Sequence, residues 1–347
     1  MPSPLLTRNT TILLALALAA LSAALIALVF GPIPLQVVDV FRALLLPWRD
    51  DQDSLTASLV WDLRAPRALL ALIVGAALAT AGAAMQGLFR NPLADPGLVG
   101  VASGSALAAV TMMVAAAMQT LPAVVVPYAV PVAAFCGGLL AAWLAARLAS
   151  ERGETRTATL LLAGLAINAV AGAGIGLLVL WADEAALRNA WFWLFGSLGK
   201  AGWTELVICG PILLAIVLWL PREAPALNAL LLGESEAGHL GVEVENFKRR
   251  ILLLVVLAVA LCVALAGLIG FVGLIVPHLL RLLLGPDHRL ILPASAFGGA
   301  TLLVLADLAS RTVLSPAEIP VGILTALIGG PFFLALLVRL RGRIEAW

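Results

Sequence analysis

Long apolar runs alternate with short polar segments along almost the whole chain. Residues 10–30 contain no charged side chain, and a helix of about 20 such residues spans about 30 Å of hydrocarbon. Comparable runs follow at residues 68–88, 93–111, 120–146, 157–181, 191–220, 251–269, 270–284, 290–309 and 319–338. The pattern therefore predicts an all-α, polytopic membrane protein with about ten transmembrane helices.

One polar insert, LFRNPLADPGLVG at residues 88–100, separates the second run from the third. Pro92 lacks the N–H that a helix needs, and Pro96 pushes the residue before it towards extended backbone. Irregular backbone at membrane depth is tolerated only where protein or a water-filled cavity satisfies its polar groups. We therefore expect a turn at the cytoplasmic end of the second helix, either packed beside a transport pathway or serving only as a structural turn.

Composition supports a membrane protein. Hydrophobic residues make up 62% of the 347 residues and charged residues 12%, whereas soluble domains carry about 25% charged residues. A soluble fold of this composition would have too few polar side chains to cover its apolar surface. Cys136, Cys209 and Cys262 lie in apolar runs without paired spacing, so we expect them to pack as small apolar side chains rather than to bind metal or form disulfides.

Positive charges indicate how the chain is oriented. The first run is longer than the roughly 7–15 apolar residues of a signal-peptide core, so we expect it to be retained as a helix. Between the predicted spans, 14 lysines and arginines fall on the N-terminal side of the membrane and 7 on the other, together the 21 of the chain. Because positive loops stay cytoplasmic, both termini are predicted to be cytoplasmic. Residues 1–347 then form a single transmembrane domain with a long cytoplasmic segment at residues 222–250.

The sequence gives little support for catalysis. The three histidines do not show H-E-x-x-H spacing, and GSLGKAG at residues 196–202 lacks both the first glycine and the hydroxyl of a phosphate-binding loop. Acidic residues cluster at the ends of the runs, apart from Asp307, which we expect to pair with Arg311 one helical turn away. We predict no catalytic or metal site, and an ion-driven carrier, which needs charged groups within its spans, is disfavoured.

The cytoplasmic segment 222–250 contains two short helical patterns. ALNALLL is followed by Gly233, and ESEAGHL is followed by Gly241, and glycine suits the left-handed position that closes a helix. Two such helices would form a rigid knob that fits a cleft in a soluble partner. The alternative is a plain solvated loop with a run of charges.

Two arginines mark the opposite side of the membrane. Arg64 and Arg67 lie three residues apart at the start of a helix and therefore share a face. A helix N-terminus disfavours cations, so their presence there needs a reason. One reason is docking, in which they bind carboxylates of a soluble protein. The other is that their long side chains reach from the apolar region to the membrane surface.

The stretch LRAPRALLALIVGAALATAGAAMQGLFRNPLADPGLVGVASG, residues 63–104, resembles the signature of the FecCD family. These proteins are permease subunits of binding-protein-dependent ABC importers for iron–siderophores, haem and cobalamin. Three more stretches are similar to family motifs in the same order, at residues 230–242, 267–293 and 317–337. The resemblance implies a fold of ten transmembrane helices in the bacterial inner membrane, working as a homodimer and carrying out no covalent chemistry itself.

The resemblance also implies roles for particular residues. The cytoplasmic gate would consist of Asn91 and Leu93 facing Thr157 and Leu161, and the binding protein would dock at Arg64, Arg67 and Arg311. The contacts with the ATPase would be Gly233, Glu234, Ser235, Glu236, His239, Leu240 and Gly241. The implied partners are a second copy of the chain, two ATP-binding subunits and a periplasmic solute-binding protein. ATP would bind to the partner subunits, and this chain would hold no cofactor.

The solute is suggested by one local resemblance. RNAWFWLFGSLGKAGW, residues 188–203, is similar to a pattern in haem-importing members of the family. We therefore expect haem, with a ferric siderophore or cobalamin as alternatives carried by the same mechanism. An ATP-independent channel or a membrane scaffold is the alternative from a different functional class, and neither of these would need the knob.

Overall fold

The structure, a computed structural model, describes residues 4–45, 54–118, 122, 124–151 and 154–344. Its α-helices are α1 Pro4–Val29, α2 Val37–Leu45, α3 Ser54–Ser58, α4 Ala65–Leu88, α5 Val101–Ala117, α6 Val126–Ala149, α7 Thr157–Val179, α8 Glu184–Leu194, α9 Trp203–Trp219, α10 Ala224–Leu230, α11 Glu234–His239, α12 Val244–Ala266, α13 Val272–Leu284, α14 His288–Thr312 and α15 Val321–Ile344. A π-helical turn, Leu59–Arg64, leads into α4, and 3-10 turns occupy Pro96–Val99 and Leu220–Glu223. The two-residue strands β1 (Ser150–Glu151) and β2 (Glu154–Thr155) pair antiparallel, with Ser150 opposite Thr155.

The all-α membrane class is confirmed. In the described part of the chain, seven helical segments are long and apolar enough to cross a membrane, and three shorter apolar helices lie at Val101–Ala117, Val272–Leu284 and Val321–Leu336. Together they follow the order of the predicted spans. The number of crossings and the cytoplasmic termini stay predictions. Arg49 and Arg152, which entered the charge count, lie outside the described residues, as do residues 1–3, 119–121 and 345–347.

Several predicted spans have different boundaries in the structure. The run 191–220 was predicted as one helix, but α8 ends at Leu194 and α9 begins at Trp203. The reason is the intervening glycine-rich loop, in which Gly196 has a φ of 71° that a helix does not allow. The run predicted from residue 93 becomes helical only at Val101, after the turn around Pro96. Positive φ values at Gly267 and Phe271, 69° and 68°, separate α12 from α13.

Helix α4 is the central element of the bundle, and α1, α9, α12, α13 and α14 all pack against it. Its backbone approaches two neighbours closely through glycine. A Cβ on Gly75 would lie 2.3 Å from the carbonyl oxygen of Gly299 in α14, and a Cβ on Gly82 would lie 1.8 Å from that of Gly273 in α13. Small residues allow this close packing, which drives helix association in lipid.

Candidate transport and coupling sites

Arg64 lies inside the protein, not on its outer surface as the docking prediction requires. It is the last residue of the π-helical turn before α4 and is buried. Its Nη1 atom donates to the carbonyl oxygens of Leu28 and Val29 at 2.8 and 2.7 Å, and its Nη2 atom donates to that of Ile33. These carbonyls lie at and beyond the C-terminal end of α1, where helical hydrogen bonds run out. Arg64 therefore caps α1 and ties it to α4.

The other two arginines form ion pairs with carboxylates of the chain, and of these carboxylates Asp307 is buried. We call Arg64, Arg67, Asp307, Arg311 and Glu318 the arginine cluster. Arg67 Nε lies 3.0 Å from Asp307 Oδ1, and its Nη1 lies 3.0 Å from Glu318 Oε1. Arg311 Nη2 donates to the carbonyl of Ala27 at 2.6 Å, and its Nε lies 3.7 Å from Asp307. The predicted partner of Asp307 was Arg311, but Arg67 makes the closer contact.

The geometry thus corrects the shared-face argument for Arg64 and Arg67. Their side chains diverge, because one reaches α1 and the other reaches α14 and the loop before α15. Only Glu318 exposes a substantial part of its side chain, 43%, while the side chain of Arg67 is 12% exposed. The sequence did not single out Glu318, although it lies in the AEIP stretch of the last similar motif. Docking of a binding protein through these arginines stays a prediction.

The turn after α4 is built from its own polar side chains. Asn91 Oδ1 accepts a hydrogen bond from the backbone N–H of Leu93 at 2.9 Å, and Asp95 Oδ1 accepts one from Gly97 at 2.7 Å. Gly100 closes the turn with a φ of 89°. Asp95 and Gly97 also line a cavity of about 190 Å³, together with residues of α4, α5, α12, α13 and the 267–270 loop. The helix-breaking insert is therefore a capped turn beside a cavity.

The two halves of the predicted gate lie on elements that touch. The 3-10 turn packs on α7 so closely that a Cβ on Gly164 would lie 1.9 Å from the carbonyl oxygen of Leu98. Ser103 in α5 also donates a hydrogen bond to Asn168 in α7. Asn91 is exposed, while Leu93, Thr157 and Leu161 are partly buried. The structure brings the turn and α7 together, and the gating role of these four residues stays a prediction.

The predicted knob is present as two short helices, α10 and α11, and we use the name knob for residues 224–241. Gly241 has a φ of 87° and directly follows the end of α11, as expected of a glycine that closes a helix. The same expectation for Gly233 is wrong, because α10 already ends at Leu230 and Gly233, with a φ of 124°, is the N-cap of α11. Leu227, Leu230 and Ala237 are buried beneath them. Of the predicted ATPase contacts, Gly233 is partly buried and the exposed ones are Glu234, Ser235, Glu236, His239, Leu240 and Gly241.

A buried lysine that the sequence did not single out lies under the knob. Lys248 Nζ lies 2.7 Å from Glu234 Oε2 of α11 and 2.9 Å from Glu245 Oε1 of α12. Glu245 Oε2 in turn accepts a hydrogen bond from the backbone N–H of Thr155 in β2 at 2.9 Å. The carboxylate of Glu234 is therefore already paired with a lysine of its own chain. The spacing of Glu245 and Lys248, three residues apart in one helix, was the available signal.

Helix α10 is fixed to the start of α14. Asn228 Nδ2 donates to Asp287 Oδ1 at 2.6 Å, and Asn228 Oδ1 accepts a hydrogen bond from the backbone N–H of His288 at 2.9 Å. Burial raises the pKa of the Asp287 carboxyl, but the N–H of Arg289 and the amide of Asn228 outweigh this effect and bring that pKa below its ordinary value. The carboxylate stays charged and caps α14, so the base of the knob is anchored.

The aromatic stretch similar to haem importers forms α8 and the loop after it. Trp191 stacks on Phe195 with ring centroids 5.8 Å apart, and Trp191 is exposed. Trp203, at the start of α9, stacks on Trp61 and donates its Nε1–H to the Trp61 carbonyl at 2.7 Å. Tryptophan is common at membrane surfaces because it combines an apolar ring with a polar N–H. This arrangement anchors α9 to the segment before α4.

Comparison with known proteins agrees with this architecture. The model of the FecCD transport family matches residues 15–339. The chain is 46% identical over 303 residues to the hemin transport system permease protein HmuU of Yersinia pestis, which covers 86% of this chain and 90% of that protein. It is also 46% identical over 282 residues to the cobalamin import system permease protein BtuC of Halobacterium salinarum, which covers 80% of this chain and 73% of that protein.

A solved structure gives the same result for the fold. A metal-chelate type ABC transporter in an inward-facing conformation superposes with a TM-score of 0.82 at 34% identity, covering 95% of this chain and 100% of that chain. The family match extends over nearly the whole sequence, and the fold, the capped turn and the knob lie within it. The chain therefore belongs to the FecCD transport family, as the permease of an ABC importer.

Proposed function

We propose that two copies of this chain form the solute pathway of the importer in the bacterial inner membrane, driven by two ATP-binding subunits that grip the knob. The observation that carries the proposal is the knob itself. Three of its leucines, Leu231, Leu232 and Leu240, are exposed, although the two helices that they adjoin are anchored from below. Apolar side chains held on a rigid, exposed base are typical of protein–protein contact sites.

Replacement of Leu240 by glutamate tests the ATPase contact. We expect the Leu240→Glu permease to insert and fold normally but to lose co-purification with its ATP-binding subunit, because a charge would be buried without a partner in the interface. Leu314→Glu is a matched control, since Leu314 is also an exposed leucine but follows α14 at the opposite end. If both variants retained the subunit equally, the knob would not be the contact.

The arginine cluster is proposed as the docking surface for the binding protein on the side where the solute enters. A periplasmic binding protein would offer carboxylates there, and Arg67 is the arginine that a carboxylate can reach most directly by displacing the half-exposed Glu318. Arg64 and Arg311 would instead hold α1 and α14 in place beneath that surface. Arg67→Glu should weaken binding-protein affinity, measured on the reconstituted permease–ATPase complex. Unchanged affinity would remove Arg67 from the docking surface.

The gate is proposed at the junction of the turn and α7. Movement of the knob would shift the start of α7 relative to Asn91 and Leu93, so that the pathway opens inward only when the outer side is closed. The chain supplies no covalent chemistry in this scheme, and the energy comes from ATP on the partner subunits. Support for it comes from the packing of α7 on the turn at Leu98 and Gly164.

Haem is proposed as the solute, on the strength of the aromatic stretch 188–203 and the similarity to a hemin permease. Cobalamin is the second candidate, because a cobalamin permease is equally identical over a slightly shorter alignment. Uptake of haem, cobalamin and a ferric siderophore into vesicles containing the complete complex would decide between them. Solute flux through the isolated chain without ATP would favour the channel alternative instead.

A further inference from the structure

The side chain of Lys248 connects three segments at the end of the protein that we predict to be cytoplasmic. Its ammonium group contacts Glu234 of α11 and Glu245 of α12, and its Nζ lies 3.5 Å from the carbonyl oxygen of Thr155 in β2. Only 6% of the side chain is exposed. Ionic hydrogen bonds are stronger than neutral ones, and the ammonium end of these contacts is buried although Glu234 remains 42% exposed. The contacts therefore connect the three segments to one another.

Both backbone polar groups of Thr155 are held by this arrangement. Glu245 accepts its N–H, and Lys248 approaches its carbonyl. Thr155 also pairs with Ser150 in the β1–β2 ladder, and α7 begins two residues later at Thr157. A displacement of Thr155 therefore acts directly on the first turn of α7, because very little chain lies between them.

We propose that Lys248 is a positioning residue that transmits movement of the knob to the start of α7. The path runs from Glu234 on the knob through the Lys248 ammonium to Glu245 and the Thr155 backbone. This inference rests on the proposed function, in which ATP-binding subunits move the knob and the N-terminal end of α7 forms part of the gate.

A second ion pair on α12 provides the contrast. Arg250 Nε lies 2.8 Å from Glu223, in the turn that precedes α10, and its side chain is 50% exposed. This pair also joins α12 to the segment before the knob, but among the described residues Arg250 forms no hydrogen bond or ion pair with β2 or α7. Arg250→Met therefore removes a cation of the same helix without interrupting the proposed path.

The test uses the complete complex of permease, ATP-binding subunits and binding protein in vesicles, with haem as the transported probe. We expect Lys248→Met to keep hydrolysing ATP while haem transported per ATP falls at least about fivefold, the lower end of typical coupling effects between sites. Lys248→Arg should recover most of the coupling, and Arg250→Met should retain it. Glu245→Ala interrupts the same path on the α7 side and should reproduce the fall in haem transported per ATP. This variant tests the proposal if Lys248→Met does not fold.

A structural readout separates this inference from the proposed function. Spin labels on cysteines introduced at Thr157 of both copies report the distance between the two α7 helices with and without ATP. We expect that distance to change in the unsubstituted complex and in Arg250→Met, but not in Lys248→Met or Glu245→Ala. If it changes equally in all of them, the inference is overturned. If ATP changes nothing even in the unsubstituted complex, the proposed function itself fails.

Discussion

Helices α4 and α7 are both long and apolar, yet they occupy opposite environments. In the span that ends in α4, 78% of the most apolar window is buried inside the protein, whereas in α7 the figure is 17%. Two glycines in the second half of α7 show the same contrast, although Gly164 nearer its start packs closely on the 3-10 turn before α5. A Cβ on Gly82 would collide with Gly273, while a Cβ on Gly172 or Gly176 of α7 would meet nothing within 4 Å among the described residues.

The difference shows that apolar character does not separate inside from outside in a membrane protein. Lipid tails are as apolar as a protein core, so side chains facing either environment can be the same. What distinguishes α4 is the set of neighbours that surround it, and what distinguishes α7 is a face left bare by its own chain. That face is available to lipid, to the second copy or to the solute pathway.

The largest expected effect on stability comes from placing a side chain where the backbone of α4 lies closest to α13. Gly82→Leu forces α4 and α13 apart, because the added Cβ would lie 1.8 Å from the carbonyl oxygen of Gly273. We expect a loss of about 3 kcal/mol or more in the free energy of unfolding, seen as a lower thermal transition in detergent or as failure to recover monodisperse protein. A variant with unchanged thermal stability would contradict the central position of α4.

Removing the arginine that joins α1 to α4 should have the next largest effect. Arg64→Met leaves the carbonyls of Leu28, Val29 and Ile33 without their donor, which we expect to cost about 2 kcal/mol. Thermal unfolding measures this, with binding-protein affinity determined in parallel. Normal stability together with lost affinity would restore Arg64 to the docking surface.

Weakening the contact between α5 and α7 should lower the stability of the protein only modestly. Ser103→Ala removes the hydrogen bond to Asn168, and such bonds between membrane helices contribute about 0.6 kcal/mol on average. We expect a small decrease in unfolding temperature, accompanied by faster hydrogen exchange in the middle of α7, around Asn168. A decrease as large as that of Gly82→Leu would mean that α7 is held far more firmly than its burial indicates.

The smallest effect on stability is expected on the bare face of α7. Gly176→Leu has open space for its side chain, so stability should change by no more than about 0.5 kcal/mol. If this face lines the pathway, uptake should nevertheless fall at least about fivefold, a barrier increase of about 1 kcal/mol. Unchanged uptake would place the face against lipid. The same change at Gly82 serves as the matched comparison.

Local patterns predicted the knob and the turn well, because the signals lie within a few residues. Gly241 closes α11 as expected, and α4 ends at Leu88, before Pro92 and Pro96. The arginines were harder, because their partners are distant in sequence. Arg67 binds Asp307, 240 residues away, and nothing near Arg67 in the chain indicates that pairing.

The sequence by itself determined that this is a helical membrane protein, that it resembles an importer permease, and where its chain must turn. Those properties follow from composition, run length and residues such as proline and glycine that act locally on the backbone. Only the tertiary structure decided which apolar helix is central, that Arg64 and Arg311 face inward, and that Lys248 joins the knob to β2. These depend on side chains meeting across long sequence separations, where a charge is stable only if packing brings a partner to it.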